Sequence, residues 1–252
     1  MNNEEKVKKI IPSKLETGVQ KFLYKTVGER IPKSVTPNRI TLIGALGGLL
    51  GILCAFFSKW VPLLLIGTIF GLACHLICDD LDGYVARTRN MTSKAGGYFD
   101  LLTDILHITY LIIALGLAGY VSMEVAVFLV PVYALIIFTA MNYILYLKEF
   151  LFPRLGPIET HLFFVVICIG CMVFGGEPLY EIGGFGLKFA DMVFIVGGAA
   201  MYFEMIRLQI QLYQRLKKLD AAEKAAACEK MAMAEKTAAG EKAESEVKAD
   251  GK

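Results

Sequence analysis

Six apolar runs, each about long enough to cross a bilayer as a helix, govern what this chain can fold into. A spanning helix needs roughly 20 apolar residues, and the stretches 40–58, 60–78, 96–117, 123–145, 158–174 and 191–208 approach or meet that length. Backbone polar groups cannot be left open in lipid, and no segment alternates as a barrel strand would. The expected fold is therefore an all-α integral membrane protein with six transmembrane helices. Hydrophobic residues make up 56% of the chain and the mean hydropathy is +0.54, which excludes an ordinary soluble domain.

The net charge of +2 conceals an uneven placement. Nine Lys or Arg fall in the first 39 residues, the last 34 are rich in Ala, Glu and Lys, and the middle is nearly bare. Lys and Arg also mark the connections 87–94 and 148–154 and the exit 207–218, whereas the opposite connections carry only Lys59 and Lys188. Positive residues favour the cytoplasmic side, so both termini and the 87–94 link are expected there. Before the first span, Leu15, Val19, Phe22 and Leu23 recur at helical spacing with Lys14, Lys21 and Lys25 between them. That pattern predicts an N-terminal amphipathic helix lying in the headgroup plane. Three regions follow: a cytoplasmic N-terminal segment (1–36), a six-helix domain (37–218) and a low-complexity tail (219–252).

Several features carry no chemistry. Cys168 and Cys171 spell CxxC, but within VVICIGCMVF they read as small residues packed in a membrane helix. No secretory signal is visible at the start. The Gly-x-x-x-Gly pairs at 44/48, 47/51 and 67/71 let helices approach closely.

The charges at 78–104 demand an explanation. This stretch, CDDLDGYVARTRNMTSKAGGYFDLLTD, holds five aspartates between two apolar spans. On a helix continuing from the second span, Asp79, Asp82, Gly83 and Ala86 share one face, with Arg87 at its edge and Asp80 rotated away. On the third span, Gly96, Asp100 and Asp104 form one stripe. Two antiparallel helices would bring the stripes together. An unpaired aspartate near the bilayer centre costs about 2.5–3.5 kcal/mol, and one arginine cannot neutralise four acids. Divalent cations can, and hard oxygen ligands select Mg²⁺, Mn²⁺ or Ca²⁺ over zinc. Gly83 and Ala86 clear a groove, and Arg87 is placed to grip a diphosphate.

Read in order, Asp79-x-x-Asp82-Gly83-x-x-Ala86-Arg87, eight residues, then Gly96-x-x-x-Asp100-x-x-x-Asp104 resembles the signature of the CDP-alcohol phosphotransferases. Pro37-Asn38-x-Ile40-Thr41 is similar to the segment that precedes the family's first membrane helix. The resemblance implies transfer of a substituted phosphate group from a CDP-linked donor to an alcohol hydroxyl, with release of CMP. It implies two Mg²⁺ or Mn²⁺ ions held mainly by Asp79, Asp82 and Asp100. Asp104 would join them and act as general base, Gly83, Ala86 and Gly96 would make room for the cytidine, and Arg87 would contact the donor phosphates. A homodimer in a lipid membrane is implied as well, with no role for nucleic acid.

The acceptor stays open. CDP-diacylglycerol with a polar alcohol is the favoured pairing, and CDP-choline or CDP-ethanolamine with diacylglycerol is the alternative. Glu159 is placed either to contact an acceptor or to serve as the charge partner of a helix N-terminus. His75 and His107 flank the aspartates, where each would either support a metal ligand or pack as a buried, hydrogen-bonded histidine. A cation-binding transporter is the competing class. It explains acids inside the membrane but not the register of Gly83, Ala86, Arg87 and Gly96.

Overall fold

The computed structural model describes residues 8–10, 14–151 and 156–249. Seven helices dominate it: α1 (Lys14–Thr26), α2 (Pro37–Phe57), α3 (Leu64–Thr88), α4 (Lys94–Leu117), α5 (Met123–Leu147), α6 (Pro157–Phe174) and α7 (Phe189–Ala249). Six of them, α2 to α7, are long and apolar enough to span a membrane. The protein is an all-α multi-pass integral membrane protein. Four three-residue strands sit outside the spans: β1 (Lys8–Ile10), β2 (Glu149–Leu151), β3 (Tyr180–Ile182) and β4 (Phe185–Leu187). β1 pairs with β2 in parallel, and β3 with β4 as a hairpin.

Local chemistry sets the helix ends. Pro37 and Pro157 open α2 and α6 at positions whose N–H groups would be unsatisfied in any case. The Ser93 hydroxyl caps α4 by accepting from Gly96 N at 3.0 Å. The second span starts later than its apolar run suggests, at Leu64, because 58–63 make the turn out of α2. At the end of the bundle away from the aspartates, buried Asp191 accepts from Ser122 N (2.7 Å) and Ser122 Oγ (2.6 Å). That contact ties the start of α7 to the start of α5.

Close backbone approach fixes the position of α3. A Cβ on Gly71 would lie 2.5 Å from Gly51 Cα and 2.8 Å from Gly47 O. Only glycine lets α2 and α3 touch there, and this contact carries Thr41 of α2 up against Asp82 of α3. Below the aspartates, Leu65, Leu72, Leu111, Leu115, Ile167 and Phe194 pack into one apolar core drawn from α3, α4, α6 and α7. Cys168 and Cys171 are buried in that core as free thiols. The chain divides into two compact units, Met1–Ile206 and Arg207–Lys252. Within the second unit, the side chains of 221–231 are exposed.

Candidate active site

Asp79 and Asp82 of α3 meet Asp100 of α4 at the mouth of the bundle. Each of the three offers one carboxylate oxygen within 4.8 Å of the other two. The helical spacing accounts for this: Asp79 and Asp82 share a face of α3, and Asp100 sits on the α4 stripe opposite. The Thr41 hydroxyl donates to Asp82 Oδ2 and fixes one of the carboxylates. Oxygen donors converging in this way fit a hard divalent cation, which is the metal class the family uses. Asp104, one turn deeper on α4, stands beside α3 with Oδ1 3.7 Å from His75 Nε2.

Asp79, Asp100 and Asp104 open onto a cavity of about 140 Å³ whose wall also includes Asp80, Gly83 and Arg87, while Asp82 is buried behind it beside Thr41, Gly44 and His75. Gly83 leaves room for the guanidinium, since a Cβ there would lie 3.0 Å from Arg87 Nη1. Ala86 and Gly96 stand outside this wall. At Gly96 a Cβ would meet Ser93 Oγ at 2.9 Å and Asn38 Oδ1 at 3.1 Å, so this glycine admits α2 and the cap of α4.

Helix α1 supplies another part of the wall with Glu16, Gln20 and Tyr24. The expected apolar stripe is present and turns outward: Leu15, Val19 and Phe22 are exposed, as a helix at a lipid surface requires, while Leu23 is buried. The opposite, polar face is the one that enters the site. Gln20 Nε2 donates to Glu16 Oε1 at 2.7 Å and to Asp80 Oδ1 at 2.8 Å. Glu16 Oε2 accepts from Ile158 N of α6 at 3.3 Å. Tyr24 stacks on Tyr84 with centroids 4.6 Å apart, and its oxygen accepts from Arg87 Nη2 at 3.3 Å. Burial, reinforced by the Asp80 carboxylate, pushes the Tyr24 phenol up to about 12, so it remains a neutral hydroxyl. Asp80 therefore belongs to the site after all. It turns away from the metal-type face of α3, but α1 closes over that side and meets it.

The remaining expectations divide. Glu159 acts as the N-terminal partner of α6, accepting from Gly156 N at 3.0 Å. Pro153, Arg154 and Leu155, just before it, lie outside the described residues. His75 and His107 are buried and packed, yet they lack the hydrogen bonds expected of buried histidines. His75 Nδ1 and both nitrogens of His107 have no partner among the described residues. Their rings stack on each other at 4.1 Å, and His161 of α6 stacks beside them.

Sequence reasoning missed Glu16, Gln20 and Tyr24. They recur every fourth residue along α1, a polar stripe that was available beside the apolar one. It noted His161 beside Glu159 at the entrance of the fifth span without joining it to His75 and His107, because nothing local in the sequence links α6 to α3 and α4.

The model of the CDP-alcohol phosphatidyltransferase family matches residues 34–206. Over 78 residues the chain is 40% identical to the bifunctional IPC transferase and DIPP synthase of Thermococcus kodakarensis. That stretch is 31% of this chain and 17% of the relative's length. The family match takes in α2 to α6 and the first part of α7, with every aspartate of the metal-type cluster inside it. The chain thus belongs to the CDP-alcohol phosphatidyltransferase family, enzymes that move a phosphate-linked group from a CDP-alcohol donor to an alcohol acceptor.

Proposed function

We propose that the chain is a phospholipid-synthesis enzyme that takes CDP-diacylglycerol as donor and a polar alcohol as acceptor, working at the cytoplasmic face with Mg²⁺ or Mn²⁺. One observation carries this reading: the acidic cavity adjoins an apolar one and shares Tyr133, Thr160 and Met201 with it. The apolar cavity, also about 140 Å³, is walled by Leu129, Phe163, Phe164 and Phe194 among others. A donor with a charged diphosphate and an acyl-bearing glycerol needs both environments side by side.

The roles follow from position. Asp79, Asp82 and Asp100 would hold the ions, two of them by resemblance to the family. The chemistry those ions supply when bound is neutralisation of phosphate charge and stabilisation of the leaving CMP. Arg87 orients the donor diphosphate, held at a useful angle by Tyr24. Asp104 takes the proton of the acceptor hydroxyl as its oxygen attacks the phosphorus distal to the cytidine. The P–O bond to CMP breaks, and CMP carries away the electron pair. Glu16, Gln20 and Asp80 line the wall where a polar acceptor would sit. The Lys- and Arg-rich connections flank this end of the bundle, which supports the cytoplasmic orientation.

The test is CMP release by purified protein in liposomes, with Mn²⁺ or Mg²⁺. One arm offers CDP-diacylglycerol and a panel of alcohols. The other offers CDP-choline and CDP-ethanolamine with diacylglycerol, whose acyl chains suit the same apolar cavity. Release in the first arm only is expected. Release confined to the second would reverse donor and acceptor, and silence in both with cation flux into the liposomes would point to a transporter.

A further inference from the structure

The chain has three histidines, and the fold brings all of them to one place. His75 comes from α3, His107 from α4 and His161 from α6, and all three are buried. Each offers a ring nitrogen within 4.8 Å of the others. Residues with no sequence proximity share this spot directly beneath the aspartates, with His75 at the edge of a recess that it lines together with Asp79, Asp82 and Asp100.

Their hydrogen bonding does not close. A neutral imidazole carries one N–H and one lone pair, and each left unsatisfied in a buried site carries its full desolvation cost. His161 Nδ1 lies 2.8 Å from Pro157 O. His75 Nε2 lies 3.7 Å from Asp104 Oδ1, a small rotation beyond hydrogen-bond distance. The other nitrogens, His75 Nδ1, His161 Nε2 and both of His107, have no partner among the described residues. On His75 and His161 the division is that of a metal-ligating histidine: one nitrogen faces a carboxylate or carbonyl, and the other is left for an ion. Gly48 of α2 keeps the space open, since a Cβ there would lie 2.5 Å from His107 Nδ1 and 3.1 Å from His75 Cδ2.

We propose that His75, His107 and His161 form a second metal site, separate from the aspartates, for a borderline divalent transition cation of the Zn²⁺ class. Three neutral imidazoles select such an ion, whereas the carboxylate cluster selects Mg²⁺ or Mn²⁺. Zn–N bonds of about 2.0–2.1 Å in tetrahedral geometry place ligand nitrogens roughly 3.4 Å apart. The rings of His75 and His107 lie 10° from parallel, so their lone pairs run side by side and do not meet. Binding therefore rotates the rings and ends that stack. The bound ion ties α3, α4 and α6 together one turn below the aspartates. Through His75 it also holds the Asp104 carboxylate.

The test uses the full chain, free of any affinity tag, stripped with chelator and reloaded with Zn²⁺ or Co²⁺ under excess Mg²⁺. The expected result is about one Zn²⁺ retained per chain. X-ray absorption at the Zn edge should show nitrogen ligands with the outer-shell scattering of imidazole, and Co²⁺ should give the strong visible absorption of a four-coordinate site. His107→Phe and His161→Phe should lose both signals, and Asp79→Asn should keep them. The unmodified chain decides the matter even if a variant fails to fold: an oxygen-only ligand shell, or no retention over Mg²⁺, overturns the proposal. Retention unchanged in His107→Phe overturns it as well. CMP release plays no part in the readout.

Discussion

Two clusters of three side chains share α3 and α4 and differ in nearly every other respect. Asp79 and Asp100 open onto a cavity lined in part by polar groups from α1 and α3, and Asp82 is buried just behind them. His75, His107 and His161 are buried among helices, with Gly48 pressed against the first two. The carboxylates lie where a charged, water-borne ligand can reach them, and an ion there can keep open positions for phosphate oxygens. The imidazoles are buried one turn deeper, and His75 alone borders the recess of the aspartates. On our two proposals, one helical turn in a membrane bundle separates a site for turnover from one for a resident ion.

The most forceful way to break this contrast is to remove a charge on the open side without changing shape. Asp104→Asn should lower the rate of CMP release by about 10²–10⁴-fold, the usual worth of a positioned general base. Asp82→Asn should lower it by about 10²–10³-fold, as loss of a group that organises transition-state charge does. A near-normal rate in either variant removes that aspartate from the chemistry.

The closed side is probed by volume. Gly48→Ala should destabilise the protein by about 1–3 kcal/mol, because the new methyl must displace His107 in a packed interior. Gly97→Ala is its control: a Cβ there has nothing within 4 Å, and exchanging a helical Gly for Ala should stabilise by about 0.5–1 kcal/mol. Thermal unfolding in detergent, read by circular dichroism, ranks the two. Equal melting temperatures would mean that Gly48 is not holding space for the rings.

Smaller effects sharpen the boundary of the open site. Arg87→Lys keeps the charge and loses the planar fork, so the KM for the CDP donor should rise about tenfold, with kcat less affected. Tyr24→Phe removes the oxygen that accepts from Arg87 and should raise the same KM by a few-fold, about 0.5–1.5 kcal/mol. With the Tyr24 phenol pushed up to about 12, it stays protonated across the working range. The pH–rate profiles of the protein and of Tyr24→Phe should then differ in height alone. An inflection present in one and missing in the other would assign Tyr24 a titrating role.

The legibility of these features follows their locality. Hydropathy located the spans, because a lipid environment leaves few other ways to arrange such runs. Asp79, Asp82, Gly83, Arg87, Asp100 and Asp104 were legible because helical periodicity and one short link bring them together within 26 residues. The wall contributed by α1 was half legible. Leu15, Val19 and Phe22 announced an interfacial helix, but a lipid-facing stripe does not say what its reverse side covers, and Glu16, Gln20 and Tyr24 went unread. Asp80 was set aside on the same incomplete view, since periodicity on α3 alone cannot know that Gln20 will arrive from α1. The histidine cluster was out of reach: His161 joins His75 and His107 only through the packing of α6 against α3, which core side chains far apart in sequence decide.

The central claim is that an acceptor hydroxyl held beside Asp104 attacks the phosphorus of a CDP-linked donor. It is tested most directly by the fate of the acceptor oxygen. The alcohol that best supports CMP release would be supplied with ¹⁸O in its reacting hydroxyl, and the lipid product and CMP would be weighed by mass spectrometry. Label retained in the bond between alcohol and phosphorus, equimolar CMP without label, and loss of both products in Asp104→Asn is the predicted result. An unlabelled phosphate ester, or label in CMP, would contradict it.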